Sequence, residues 1–254
     1  MSIPREIGRR IFKTKAECFD KCVHLVQGRS GLEIGGPTAI FSRGRLLPFY
    51  PLVRLDNCNF SSNTVWGDNK VNENYYYDEQ QPPGVQYICD AADLRIIPTG
   101  KYDFVISSHV LEHIANPIKA LREWMRVLTE KGVVILVLPH KERTFDHRRP
   151  VTPLAHLVQD FTDDTPESDL THLPEIMELH DLRRDSVSRD RPYLEKMCKE
   201  NMTHRYMHHH VFDTALAVNL LKHVGLQIVA VEVQRPWHII LIAQKPQENH
   251  PAAN

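Results

Sequence analysis

The sequence predicts a doubly wound α/β fold, and three observations predict it. Strand-like and helix-like patterns alternate from residue 12 to residue 138. Two runs, Phe104–Ile106 and Val133–Leu138, are apolar on both faces, as strands of a parallel sheet covered by helices are. A helix and a hairpin over residues 213–245 then complete the sheet.

Phe12, Ala16, Phe19, Val23 and Val26 recur at helical spacing until Gly28 and Gly31 stop the pattern, so an amphipathic helix comes first. Gly31-Leu32-Glu33-Ile34-Gly35-Gly36 is a buried strand running into a glycine turn. Leu52–Asp56 and Val85–Asp90 are the next strands, each finishing on an aspartate. Between the two doubly apolar runs Asn116 caps a helix, Pro117 suits its first turn, Ile118, Leu121, Met125 and Leu128 form its buried stripe, and Lys131-Gly132 ends it. A second helix starts at Asp213, buries Leu216, Leu220, Leu221 and Val224, and stops at Gly225. Leu226–Glu232 and Trp237–Ala243 are antiparallel strands around a tight Gln234-Arg235-Pro236 turn. The expected whole is a mostly parallel seven-stranded sheet with an antiparallel C-terminal hairpin.

Two stretches break the alternation. Asn57–Gly84 is polar and aromatic, and Pro139–His210 is about seventy residues dense in charge, histidine and proline. The second is too long for a plain connection, so an inserted subdomain or lid over the carboxyl edge of the sheet is expected at 139–210. That leaves 1–138 with 211–246 as the main domain and 247–254 as a flexible tail.

Composition sets the class. Of 254 residues, 42% are hydrophobic and 25% charged, which is ordinary for a globular domain. The longest apolar run falls far short of the roughly 20 residues of a membrane span, and no signal peptide is visible, so a soluble, cytoplasmic chain without a membrane partner is expected. A net charge of -1 supplies no basic field and argues against nucleic acid. Oligomeric state stays open. The five cysteines form no CxxC pair and fit reduced core positions. Histidine is the anomaly: 15 copies against 11 glycines, twelve of them from His140 onward, point to proton transfer or metal chemistry.

In open α/β sheets the ligand lies beyond the carboxyl ends of the strands. Those ends here carry Glu33, Gly35 and Gly36, then Asp56, then Asp90, then Ser107-Ser108-His109, then Pro139-His140. The glycines admit a ligand close to the backbone. Asp56, 23 positions beyond Glu33, stands where an acid can hold two ribose hydroxyls, and Asp90, followed by Ala91, can accept from an adenine amino group. Together they describe an adenosine pocket. The turn Gly35-Gly36-Pro37-Thr38 lacks the Gly-x-Gly-x-x-Gly pattern and so disfavours NAD.

These residues resemble the class I S-adenosylmethionine-dependent methyltransferases. Leu32–Gly36 is similar to their first motif, Ile88–Ala91 to their adenine motif, Tyr102–Ile114 to their fourth strand and following loop, and Arg126–Val134 to the passage into the fifth strand. The resemblance implies a Rossmann-like domain that binds S-adenosylmethionine through Glu33, Gly35, Gly36, Asp56, Asp90, Ala91 and Ser107. Pro37-Thr38 replaces the usual third glycine. Residues 139–153, with Thr171–Ile176 and His208–Phe212, resemble a bacterial subgroup linked with glycan or secondary-metabolite tailoring. The favoured reading is a methyltransferase for a small molecule or sugar, acting on oxygen, for which a sheet-edge imidazole suits as base.

A sulfonium methyl is already activated, so the enzyme chiefly aligns the reactants and takes a proton. His140 and His109, each directly after a strand, and His113 are the candidate bases. His109-x-x-Glu112-His113 is also similar to the Glu-x-x-Glu-His loop of ubiquinone-pathway and small-RNA methyltransferases, which implies a divalent metal on His109, Glu112 and His113. Histidines 140, 147, 172, 180 and 208 to 210 could complete its shell, with at most one or two of His208-His209-His210 facing one site. The plainer alternative has Glu112 and His113 bracing the helix. His-x-x-Glu-His is also an inverzincin signature, which needs a helix over its whole length. A non-catalytic, cofactor-sensing protein is the third alternative. Residues 160–169 and 181–191 are expected to be solvated faces, Lys141, Arg143, Arg148 and Arg149 to meet an anionic group, and Tyr75–Tyr77 with Trp66 either to stack on a ring or to pack in the core.

Overall fold

The computed structural model describes residues 15–64, 67–68, 74–234 and 238–247. Phe12, Trp66, the Arg235-Pro236 turn and the tail beyond 247 lie outside the described residues. Helix α1 (Glu17–Val26) leads into β1 (Ser30–Ile34) and, after two short 3-10 turns, β2 (Arg54–Asn59). A two-stranded ribbon, β3 (Asn63–Thr64) and β4 (Gly67–Asp68), precedes β5 (Asn74–Tyr75) and β6 (Gly84–Ile88). Then come β7 (Tyr102–Ser108), α2 (Pro117–Val127) and β8 (Leu128–Pro139). Helices α3 (Leu154–Thr162), α4 (Leu173–Leu179), α5 (Arg191–Lys199) and α6 (Asn201–His204) fill the stretch before α7 (Thr214–His223), β9 (Gln227–Gln234) and β10 (His238–Gln244).

The main sheet has eight strands in the order β5-β6-β2-β1-β7-β8-β10-β9. β6, β2, β1, β7 and β8 are parallel, and β5, β10 and β9 pair antiparallel with their neighbours. This is the expected doubly wound sheet with one added edge strand, β5. Because side chains alternate along a strand, β8 sends Val134, Leu136 and Leu138 into one layer, where Leu121, Trp124 and Leu220 of α2 and α7 meet them. Val133, Ile135 and Val137 go to the other, against Phe19, Cys22 and Val26 of α1 and the rings of Phe41, Phe49 and Tyr50. A third apolar cluster, Ile176, Leu194, Met197, Cys198, Tyr206 and Met207, lies wholly between β8 and α7.

The caps explain the helix starts. Asn116 Oδ1 accepts from Lys119 N at 3.0 Å, and Asp213 Oδ1 from Leu216 N at 2.7 Å. Ala16 offers α1 no side-chain cap; Glu232 of β9 reaches across and accepts from Glu17 N (3.1 Å) and Cys18 N (2.6 Å). Two boundaries differ from expectation. Leu52 belongs to a 3-10 turn, and β2 runs three residues past Asp56, because its ladder with β1 continues to Ile34 opposite Cys58. α2 stops at Val127, and β8 takes over Leu128, which pairs with Tyr102. The acidic stretches are not simply solvated: Asp160 and Asp181 are buried. No helix among the described residues is long and apolar enough to cross a membrane.

Candidate active site

β1 ends at Ile34 and the chain turns through Gly35, whose φ of +82° suits glycine. A Cβ on Gly35 would lie 2.4 Å from Val110 Cγ2, and one on Gly36 2.3 Å from Glu33 Cδ, so neither position has room for a side chain. The turn is pinned from β2: Asn57 Oδ1 accepts from Gly36 N (3.0 Å), while Asn57 Nδ2 (3.1 Å) and Asn59 Nδ2 (2.8 Å) donate to Gly36 O. Beneath it the buried carboxylate of Glu33 accepts from Tyr75 Oη (2.5 Å), Tyr50 Oη (2.8 Å) and Thr38 N (3.0 Å). Burial pushes Glu33 up to about 7 despite those donors.

The turn opens on a cavity of about 610 Å³ at the carboxyl edge of the sheet, a size usual for a small-ligand site. Gly35, Gly36, Asn59, Phe60, Asp90 and Ala91 line it together with His109, Glu112, His113 and His208. Trp124 Nε1 donates to Ala91 O at 3.0 Å, which ties the turn after β6 to α2. Asp90 Oδ1 accepts from Ala92 N (2.8 Å) and its Oδ2 from Arg205 Nη2 (2.8 Å). Arg205 also pairs with Glu167 and lies 5.5 Å from the Phe60 ring centroid.

Of the residues singled out from sequence, Gly35, Gly36, Asp90, Ala91, His109, Glu112 and His113 come together on this wall, and Glu33, Asp56, Ser107 and His140 do not. The expectation of three carboxylates around one nucleoside is therefore corrected. Asp56 is mid-strand and turned to the sheet edge, where it accepts from Tyr102 Oη (2.6 Å), Lys101 Nζ (2.9 Å) and Val85 N (2.8 Å). Asn59 takes the strand-end place expected for it. Glu33 holds the glycine turn from below. Ser107 is fully buried with Oγ 3.4 Å from Ile34 O, and strand alternation gives the cavity to Ser108. His140 starts the turn Lys141–Arg143, whose Lys141 N donates to Phe212 O (3.0 Å). Tyr75 and Tyr77 pack with Tyr50 against the core, which is the packing alternative, while Tyr76 between them is exposed.

The insertion brings His208 and Arg149, named above as a possible metal ligand and an anion binder, to the cavity wall around Asp146, which no sequence pattern singled out. His208 Nδ1 and Asp146 Oδ2 are 2.5 Å apart, and Arg149, 1% exposed, donates to Asp146 Oδ1 (2.9 Å) and to His208 O (2.9 Å). Burial raises Asp146, but His208 and Arg149 overcome it and hold the carboxyl at about 2. Burial likewise opposes the His208 cation, yet Asp146 draws that imidazole above its ordinary value. His208 stacks edge-on against His113, whose Nδ1–H donates to Met207 O at 3.1 Å. Burial pushes Glu112 up to about 7 and His109 down to about 3. His109 turns to His238 (2.9 Å between ring nitrogens), so the trio with ligand atoms within 4.8 Å is Glu112, His113 and His208, not the expected His109, Glu112 and His113. The run His109–His113 enters from a strand and only Leu111–His113 is helical, in a 3-10 turn, which removes the inverzincin reading. A glycine turn without side chains beside an aromatic ring and a carboxylate can take a nucleoside, and a carboxylate-held imidazole on the same cavity's wall can take a proton from whatever lies next to it.

Comparison with solved structures finds an S-adenosylmethionine-dependent methyltransferase from Mesorhizobium loti, at 13% identity over 90% of this chain and 96% of that one, with a TM-score of 0.52. Another from Methanosarcina mazei has 13% identity over 87% of this chain and 94% of that one, with a TM-score of 0.50. At such identity the likeness is one of fold. A search of curated proteins finds no match. The methyltransferase-domain family profile, however, matches residues 5–231. With that profile spanning most of its length and a glycine-turn cavity at the carboxyl edge of its sheet, the chain belongs to the methyltransferase-domain family and is an enzyme dependent on S-adenosylmethionine.

Proposed function

We propose that this enzyme methylates a hydroxyl group of a small molecule or sugar. S-adenosylmethionine supplies a methyl on a sulfonium sulfur, which needs a nucleophile in line behind it and little else. The chain's own residues fit the rest. Gly35 and Gly36 let the methionyl part pass close to the backbone, Phe60 and Ala91 flank the base, and Asp90 offers an acceptor to its amino group. Residues 139–210 act as the lid that closes the acceptor end, since Asp146, Arg149 and His208 come from it.

The observation that carries the O-methyl reading is the Asp146–His208 pair on the cavity wall. Asp146 accepts a hydrogen bond from His208 Nδ1–H, which fixes the tautomer and leaves Nε2 as the acceptor for the hydroxyl proton released in transfer. Arg149 keeps Asp146 ionised and in place. The test uses methyl-labelled S-adenosylmethionine and cell extracts to find the acceptor, with fragmentation to show the labelled oxygen. His208→Asn then should lower kcat about 10²-fold or more while leaving S-adenosylhomocysteine affinity unchanged. Full turnover by that variant, or label on nitrogen or carbon, contradicts the reading.

A second reading rests on Glu112, both of whose carboxylate oxygens are buried without a hydrogen-bond partner. A divalent ion on Glu112, His113 and His208 would satisfy them and orient the acceptor oxygen. Metal content that falls in Glu112→Gln relative to wild type supports it, and equal content removes it.

A further inference from the structure

A second group of histidines lies outside the cavity wall. His156 and Asp160 stand one turn apart on α3 and so share a face. His172 immediately precedes α4, and His210 lies on the extended segment before α7. One nitrogen from each of the three rings lies within 4.8 Å of the others. His156 Nε2 is 3.0 Å from His172 Nε2 and 3.5 Å from Asp160 Oδ2. Zinc bonds to nitrogen and oxygen of about 2.0 Å give tetrahedral edges of about 3.3 Å, between those two values.

The hydrogen bonds leave two atoms unanswered. His210 Nε2–H donates to Ala115 O at 3.1 Å, so its Nδ1 carries a lone pair, and Nδ1 is buried with no hydrogen-bond partner. Asp160 Oδ1 accepts from Thr165 Oγ1 (3.1 Å), while its Oδ2 is buried and likewise without a hydrogen-bond partner. The side chains are 1% and 10% exposed. A ring held through its far N–H by a backbone carbonyl, and a carboxylate held through its far oxygen by a hydroxyl, is the outer support that metal ligands need. Three neutral imidazoles and one carboxylate suit zinc, and four protein ligands leave no open position for substrate.

We infer that His156, Asp160, His172 and His210 form a closed, structural zinc site that clamps α3 and the start of α4 to the segment carrying His208. The ion answers both orphaned atoms and ties three chain segments together. This site stands independently of the acceptor chemistry.

Protein prepared without an affinity tag should hold one tightly bound zinc that His172→Asn loses and Glu112→Gln keeps, measured by elemental analysis after exhaustive dialysis. After chelator treatment, added cobalt(II) should give the strong visible absorption of tetrahedral coordination in wild type and in Glu112→Gln. Far-UV dichroism and S-adenosylhomocysteine binding check that His172→Asn is folded; should it not fold, the cobalt spectra of the other two proteins decide. Wild type with neither bound zinc nor a cobalt band, zinc retained in His172→Asn, or a band lost in Glu112→Gln would overturn the inference.

Discussion

Glu33 lies under the glycine turn rather than on the ligand, and its environment has a measurable consequence. Folding lifts its carboxyl from 4.5 to about 7, so the folded state binds the proton more tightly than the unfolded chain. The contribution is therefore full below about 4.5 and is lost as pH rises through 7, a change of roughly 3 kcal/mol at most. Glu33→Gln, neutral throughout, should lack that decline, so denaturation midpoints at pH 5 and pH 7.5 should move less in the variant than in wild type. Parallel midpoints would contradict it. Among single residues, Gly35, Gly36 and Asp90 were legible because strand ends and glycine turns are local signals. Asp146 was not, and Arg149 was named only as an anion binder. They sit in the charged run Phe145-Asp146-His147-Arg148-Arg149, and their burial against each other and His208 depends on a contact 59 or more residues away in sequence.

At the level of elements, the helices and the doubly apolar strands were readable from period and caps, and Asn116 and Asp213 do cap as expected. The end of β2 was not, because Asn57, Cys58 and Asn59 look like a loop until β1 and β6 offer them ladders. That error of three residues carried Asp56 away from the cavity and put Asn59 at its edge. The missing cap of α1 was equally hidden, since Glu232 comes from the far end of the chain. Its two hydrogen bonds to first-turn amides suggest that Glu232→Ala costs about 1 kcal/mol of stability. Urea unfolding at neutral pH measures this; a variant as stable as wild type would show the contact to be idle.

In the whole molecule, the carboxyl edge of a parallel sheet and a helical insertion with its own apolar cluster line the cavity together. Arg205, bridging Asp90 and Glu167, joins the two. The order of strands was legible as a class, whereas the packing of residues 139–210 depends on contacts with Ala115, Glu112 and Phe212 that no local pattern announces. The proposed seat of the cofactor is the glycine turn rather than Asp56. Calorimetry with S-adenosylhomocysteine tests this on wild type, Gly35→Ala and Asp56→Asn, each verified as folded by far-UV dichroism. Wild type and Asp56→Asn should bind alike and Gly35→Ala at least about tenfold more weakly, a loss of about 1.4 kcal/mol. Undiminished binding to Gly35→Ala, or a loss confined to Asp56→Asn, would contradict it.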